Sequence, residues 1–536
     1  MKNQLYGFLN LEAAQKKAVG LCFFFLILVS IGQSLLSQTI TIVHSNDTHG
    51  RYLPYSIKKD GKDRLVGGME AVSHYLNAIR KSEKNVLVID KGDVMTGTFA
   101  TTITYKGVIG GAMIEFLNRL EYDLWNLGNH EFDKGIENAL GMADLAEFPT
   151  IQSNIIETKN KKLLVNNPYF IFEIDDLKVG VIAVMEENFL IEVLKESVEG
   201  LEVLPIVPTL NSYMKELKRK TDLIIVIVHS GFKDGLRVAR EVQGVDVVLC
   251  ASEEGRFQEE NGVLVQSTIG HQQTLGYLKL DIKNGKIRNY EEKLIWLLAD
   301  IKLNPSPRIS SLVDDIEKAV GEECKKVVGE AKSDYIKLDY PNESLNVENE
   351  LGNWITDVMR WKTNANIGFH NSGAIRSNIL AGSICIQDVF EVSPFNNTLV
   401  LFEISGKQLK DILELDVERI RDRLQVSGLT YKYYSHGKKV FGERVDFIEV
   451  NGEVIVKGGE LLVPEKKFTA VSNDYVVGHA NDKYFGFPLP NSKDTLFPLD
   501  QILVEWLQEF KILNYKSESR IVRIIESPFL QKDGPE

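Results

Sequence analysis

Cysteine is scarce in this chain, with four in 536 residues. Cys22 falls in an apolar N-terminal run, and Cys250, Cys324 and Cys385 are widely spaced with no C-x-x-C pair. That excludes a disulfide framework or a thiolate metal site, and each of the three reads as a small buried apolar residue. A positive surplus is missing too: 62 Lys and Arg stand against 75 Asp and Glu, a net charge of −13. Polymeric nucleic acid is therefore excluded as a partner, because its binding needs clustered cationic side chains. A small anionic substrate held through metal ions stays compatible, since bound cations dominate their local field. Internal repeats and low-complexity segments are absent. Long apolar runs are almost absent: the main one is "AVGLCFFFLILVSIG" at 18–32, preceded by Lys16 and Lys17 and followed by polar "QSLLSQT". Residues 1–37 thus read as a signal peptide or an N-terminal membrane anchor, short for a span and lacking a clear small-x-small cleavage site. The expected location is exported, periplasmic or cell-surface. The polar C-terminal "SPFLQKDGPE" suggests no second anchor.

What is present is a length and a 44% hydrophobic content sufficient for more than one core. "TITIV" (39–43), "VLVI" (86–89), "LIIVIV" (223–228) and "VDVVL" (245–249) are β-branched, nearly continuous runs, as strands covered on both faces should be. Between the first two, Met69, Val72, Leu76 and Ile79 recur at helical spacing. The pattern breaks at "NPSPR" (304–308), where a charged helix-like stretch, "SLVDDIEKAVGEECKKVV", begins a linker. The expected organisation is an α/β domain over 38–303, a linker helix over 304–334 and a second mixed α/β domain over 335–525.

A polar cluster follows each strand, where layered α/β folds gather their ligands. "HSNDTHGR" offers Asp47 and His49, "KGDVMTG" offers Asp93, "GNHEFD" offers Asn129 and "VIVHSG" offers His229. A carboxylate such as Asp93 can bridge two divalent ions, with His and Asn completing the shells without excess negative charge. Two ions about 3.5 to 4 Å apart polarise a phosphoryl oxygen and lower the pKa of a bound water. His130, beside Asn129, would stabilise charge developing on the phosphoryl group, with Asp133 orienting its ring. Singly, Asp47 or Asp93 reads as a turn residue and His229 as an interior histidine. Their order, each after a strand, argues for one shared site.

These blocks resemble the 5′-nucleotidase family of calcineurin-like metallophosphatases, exported enzymes that hydrolyse nucleotides. "VHSNDTHGR", "IDKGDVMTGT" and "LGNHEFDKG" carry the resemblance in the first half, "NSGAIR" and "FEVSPFNNTLV" in the second. It implies a layered αββα metallophosphatase sandwich joined to a mixed α/β nucleotide-binding domain, and a cofactor of two divalent ions, Zn, Mn or similar. By the resemblance Asp47, His49, Asp93, Asn129 and His229 are metal ligands, and His130 and Asp133 form a catalytic dyad. Asn371 and Arg376 would face the substrate phosphate, Phe395 and Tyr475 would sandwich the base, and Asn397 would make a polar contact nearby.

Three blocks depart from the family. Its G-G-H-x-H or G-G-H-x-Q segment reads "CASEEGR" here, so Ser252 and Glu254 stand at two ligand positions. Glu254 is a reasonable oxygen ligand, whereas Ser252 is a poor replacement for imidazole. His271, in "TIGHQQ", is a substitute from a neighbouring loop or else a surface or core residue. The family's G-G-D-G reads "GHANDKY", and the Arg before L-G-N is missing from "NVENELGN". The expected function is metal-dependent hydrolysis of a nucleotide phosphate ester. Alternatives are a catalytically weak nucleotide-binding paralogue, or a hydrolase of UDP-sugars or cyclic nucleotides with the same fold.

Overall fold

The structure, a computed structural model, describes residues 38–524 apart from 60, 252, 253, 322, 338–347, 396, 420, 435–438 and 441. The leader and Ser252 lie outside the described residues. No helix among the described residues is long and apolar enough to cross a membrane.

All four expected strands form, three of them slightly longer than their apolar runs and the one at 245–249 shifted to Val247–Cys250, and a further short strand forms at Leu124–Asn126. In chain order they are β1 (Gln38–Ser45), β2 (Val86–Asp90), β3 (Leu124–Asn126), β4 (Leu223–His229) and β5 (Val247–Cys250). Because side chains alternate across a strand, each is apolar on both faces for two separate reasons. Ile40 and Ile42 of β1 and Leu87 and Ile89 of β2 point inward against Ile225, Ile227 and Leu249, so that two sheets share one dry interface. Val43 and Val88 point the other way, onto Met69, Val72 and Leu76 of helix α1 (Met69–Ser82). On the far sheet Val226 and Val228 pack against Ile206 and Leu210 of helix Ile206–Lys220. The result is helix, sheet, sheet, helix, the expected αββα sandwich.

The first sheet runs Lys286–Trp296, Thr274–Lys283, β1, β2, β3, Thr150–Ile151. The second runs Tyr169–Ile174, Leu177–Met185, β4, β5, Val263–Ser267, Phe257–Glu260. β1, β2 and β3 are parallel, with Ser45 opposite Asp90, and β4 and β5 are parallel, with Val228 opposite Cys250. The carboxyl ends of β1 to β4 therefore bring four polar segments to one edge.

The linker differs from expectation. The helix spans only Pro307–Val320 and stops at Gly321, whose φ of +78° suits glycine. The β-branched pair that follows then enters a strand, Val327–Ala331, which pairs with Gly382–Cys385 and Ile512–Leu513. Beyond it a five-stranded sheet in the order Leu424–Ser427, Ile367–Asn371, Lys467–Asn473, Thr398–Ser405, Lys493–Pro498 carries core on both faces. Phe369, Leu409 and Ile412 lie in one cluster, and Trp354, Ile355 and Leu503 in the other.

Candidate active site

The loops after β1 and β2 are zipped together by main-chain bonds: Asp47 N–H to Gly92 O (3.0 Å), His49 N–H to Asp93 O (3.0 Å) and Gly50 N–H to Val94 O (2.9 Å). Asp47, His49 and Asp93 all adopt left-handed backbone, with φ of +49°, +48° and +61°. Non-glycine residues held there cost of order 1–2 kcal/mol each, a strain that recurs at functional sites.

Tautomers follow from the partners. The Nδ1 of His229 lies 2.7 Å from the Lys91 carbonyl, and that of His49 lies 2.8 Å from the Thr96 carbonyl. Carbonyls only accept, so both rings carry the proton on Nδ1 and, when neutral, turn a lone pair inward at Nε2. The Nε2 of His229 faces Asn129 Oδ1 at 3.2 Å and Asp93 Oδ2 at 3.4 Å, while that of His49 lies 4.0 Å from the same Asp93 oxygen. Acceptors converging on one point call for a cation. Two overlapping donor groups result, His49 with Asp93 and His130, and Asp47 with Asp93 and His229, all buried and sharing Asp93. This donor set of imidazole nitrogens and carboxylate oxygens fits divalent ions.

The electrostatics show that this point draws positive charge. Burial works against the charged form of Asp93, but His229 and His130 outweigh it and hold the carboxyl ionised, well below its ordinary range. Burial likewise opposes a charge on His229, yet Asp93 pushes its pKa up to about 10. His49 shifts the other way: burial, then the Arg376 guanidinium, keep it neutral.

His130 stands on a short 3-10 turn, His130–Lys134. Its N–H donates to Asp93 Oδ1 (2.9 Å), and its Nδ1 meets Asp133 Oδ2 at 2.8 Å, where Thr96 Oγ1 also donates. Burial opposes protonation of the ring, but Asp133 and Asp93 raise its pKa above the ordinary value.

From the second domain, Arg376 donates from Nη2 to His49 Nε2 at 3.2 Å. Phe395 lies 5.6 Å from the His130 ring, with the Arg376 guanidinium 5.8 Å from its own ring. The other expected substrate residues are engaged elsewhere. The Asn371 amide is used at both ends, Nδ2 donating to Asp422 (3.1 Å) and Oδ1 accepting from Asn473 (3.0 Å). Asn397 donates to Asp474 at 2.6 Å. Tyr475 donates its hydroxyl to the Ile191 carbonyl at 2.7 Å, with its ring against His479 and Tyr484. Glu254 pairs with Arg256 and belongs to neither donor group.

Residues 40–273 match the calcineurin-like phosphoesterase family model, and residues 327–487 match the 5′-nucleotidase C-terminal domain. The chain belongs to the 5′-nucleotidase family. It is 29% identical to the 5′-nucleotidase of Homo sapiens over 77% of this chain and 78% of that protein. It is 25% identical to the endonuclease YhcR of Bacillus subtilis (strain 168) over 90% of this chain, yet spans only 41% of that protein's length. The crystal structure of a 5′-nucleotidase precursor from Thermus thermophilus superposes with a TM-score of 0.81 at 26% identity, covering 91% of this chain and 100% of that one.

Two functional positions escape a reading of motifs. Glu131, inside the quoted "GNHEFD", is wholly buried and accepts from four main-chain amides: Asp93 (2.9 Å), Val94 (2.8 Å), Met95 (3.2 Å) and Gly128 (2.6 Å). It ties two ligand-bearing loops of the family's site to each other. Asp422 accepts from both Asn371 and the Gly373 amide (2.8 Å), holding the loop that leads to Arg376.

Proposed function

We propose that this chain is a metal-dependent hydrolase of nucleotide phosphate esters, acting on a nucleoside 5′-monophosphate or a related nucleotide. The observation that carries this reading is the convergence of buried acceptors on Asp93 beside the His130–Asp133 pair. Asp47, His49, Asp93, Asn129 and His229 would hold two divalent ions, with Asp93 between them. When bound, such ions supply Lewis acidity toward a phosphoryl oxygen and lower the pKa of water at neutral pH.

The chain's own residues do the rest. Asp133 holds the proton on His130 Nδ1 and stabilises the cationic ring, so that Nε2 can donate to charge developing on the phosphoryl group. Arg376, already among the ligands, offers a planar fork that matches phosphate oxygens. Phe395, beside His130, offers a face on which any base can stack. Asn371 serves Arg376 indirectly, by fixing its loop through Asp422. The leader at 1–37 supports action outside the cytoplasm, periplasmic or at the cell surface. The intact dyad disfavours a binder without turnover.

The test is phosphate release from a panel of nucleoside mono-, di- and cyclic phosphates and UDP-sugars. Chelator-stripped protein is assayed with and without added Mn²⁺ or Zn²⁺. Metal-dependent release from a 5′-nucleotide supports the reading; no release from any substrate with metal present contradicts it.

A further inference from the structure

We propose that Arg51 is a positioning residue for recognition of the nucleotide phosphate: by gripping Ser377 and Glu391 of the second domain, it sets Arg376 at the edge of the donor set. This rests on the metallohydrolase reading above.

Arg51 stands two residues beyond His49 on the loop after β1, and that loop is held on both sides of it. The Arg51 N–H donates to the Thr48 carbonyl (3.0 Å), and Thr98 Oγ1 donates to the Gly50 carbonyl (2.7 Å). The guanidinium is buried and lies over the Tyr55 ring, 4.7 Å from its centroid. Its two ends reach across to the second domain. Nη1 pairs with Glu391 Oε2 at 2.5 Å, and Nη2 donates to Ser377 Oγ at 3.4 Å.

Those two partners bracket Arg376. Ser377 follows it in the chain, and Glu391 precedes Val392, whose carbonyl accepts the Arg376 N–H at 2.9 Å. Gln387 donates to the other oxygen of Glu391 at 3.1 Å, and Phe390 of the same helix, Ile386–Val392, seats on Phe99. The side chain of Arg376 meanwhile meets His49 Nε2 at 3.2 Å. Two residues of one loop, His49 and Arg51, thus engage two consecutive residues of the other domain, Arg376 and Ser377. The register between the domains is set beside the donor set itself.

The arrangement calls for arginine. A planar fork holds two partners at once while lying against an aromatic ring, which the single ammonium of lysine does not. An ion pair drawn out of water adds little stability of its own, so its contribution here is orientation. The competing role is general attachment of the two domains. Attachment would serve every ligand between them alike, whereas positioning of Arg376 serves the phosphate alone.

The experiment is a double-mutant cycle of Arg51→Ala and Arg376→Ala in full-length protein loaded with Mn²⁺. Calorimetry gives the affinity for a nucleoside 5′-monophosphate and for the parent nucleoside. Phosphate release, metal content and melting are recorded for each form. Arg51→Ala should weaken monophosphate binding and lower kcat/KM at least tenfold, with nucleoside affinity and metal content as in wild type. In the Arg376→Ala background the same change should cost less than twofold, because Arg51 acts through Arg376. Equal fold losses in both backgrounds, or nucleoside and monophosphate affinities that fall together, would overturn the proposal. Should Arg51→Ala melt far below wild type, Glu391→Gln, which keeps the shape and removes the charge, is put through the same two comparisons and decides. A wild type that binds the monophosphate but releases no phosphate contradicts the hydrolase reading alone, and the binding cycle still decides on Arg51. A wild type that does not bind it overturns both.

Discussion

At the scale of the residue, buried charge decides which side chains can be replaced. Glu131 satisfies four amides in the two loops that carry Asp93 and Asn129. Glu131→Ala leaves those donors buried without an acceptor, a penalty of about 3 kcal/mol or more. Chemical denaturation should show that loss, and metal binding should weaken with it. His130→Ala should behave oppositely: its proposed work is confined to the transition state, so kcat should fall on the order of 10²- to 10³-fold while KM changes little. Steady-state kinetics on one nucleotide checks this, and an unchanged kcat would remove His130 from the mechanism. The residues that gather around Asp93 were legible because D-x-H, GD, GNHE and a strand-end His each carry their chemistry in the letters. Glu131 was not, because a carboxylate that binds main-chain amides has no sequence partner to be paired with. Asn371 and Asn397 show the converse, since short amides in a recognisable block can be turned toward their own domain.

At the scale of the element, alternation fixed the sandwich. Strands such as β1, apolar on both faces, had to lie between a helix layer and a second sheet, and they do. The linker was harder to read, because Gly321 and the Val327–Val328 pair ended a helix that charge patterning alone would have extended. The segment Asp474–Tyr484 was read for its aromatic residue, but it also makes a set of contacts to one short stretch of the first domain. Tyr475 and Lys483 meet the Ile191 carbonyl, His479 meets the Val193 carbonyl at 2.9 Å, and Lys483 pairs with Glu192 at 3.1 Å. Two aromatic substitutions should therefore differ. Phe395→Ala should weaken nucleotide binding by roughly 1 to 3 kcal/mol, the worth of one stacked base. Tyr475→Phe keeps the ring and loses only contacts within the protein, the hydroxyl's bond to the Ile191 carbonyl and the one it accepts from Lys483 Nζ (2.9 Å), so nucleotide affinity should hold. Nucleotide titration of the two variants makes the comparison. Equal losses would mean that the Tyr475 hydroxyl, rather than stacking, accounts for binding there.

At the scale of the whole molecule, the centre is built from two domains. Arg376 reaches His49, Arg51 pairs with Glu391 at 2.5 Å, and Phe99 packs on Phe390 with ring centroids 4.4 Å apart. The contacts around Ile191–Val193 close the same interface from the other end. If they hold the domains together, Lys483→Ala combined with Tyr475→Phe should raise the radius of gyration measured by small-angle X-ray scattering. It should also raise KM more than it lowers kcat. The central claim, that buried acceptors around Asp93 hold divalent ions which make this chain a nucleotide hydrolase, is tested most directly by Asp93→Asn. The measurement is bound metal and phosphate release from a nucleoside 5′-monophosphate, taken on the same sample as wild type. Wild type should retain divalent metal and release phosphate, and the variant should lose both while keeping its fold by circular dichroism. Retained metal and undiminished release in the variant would contradict the claim.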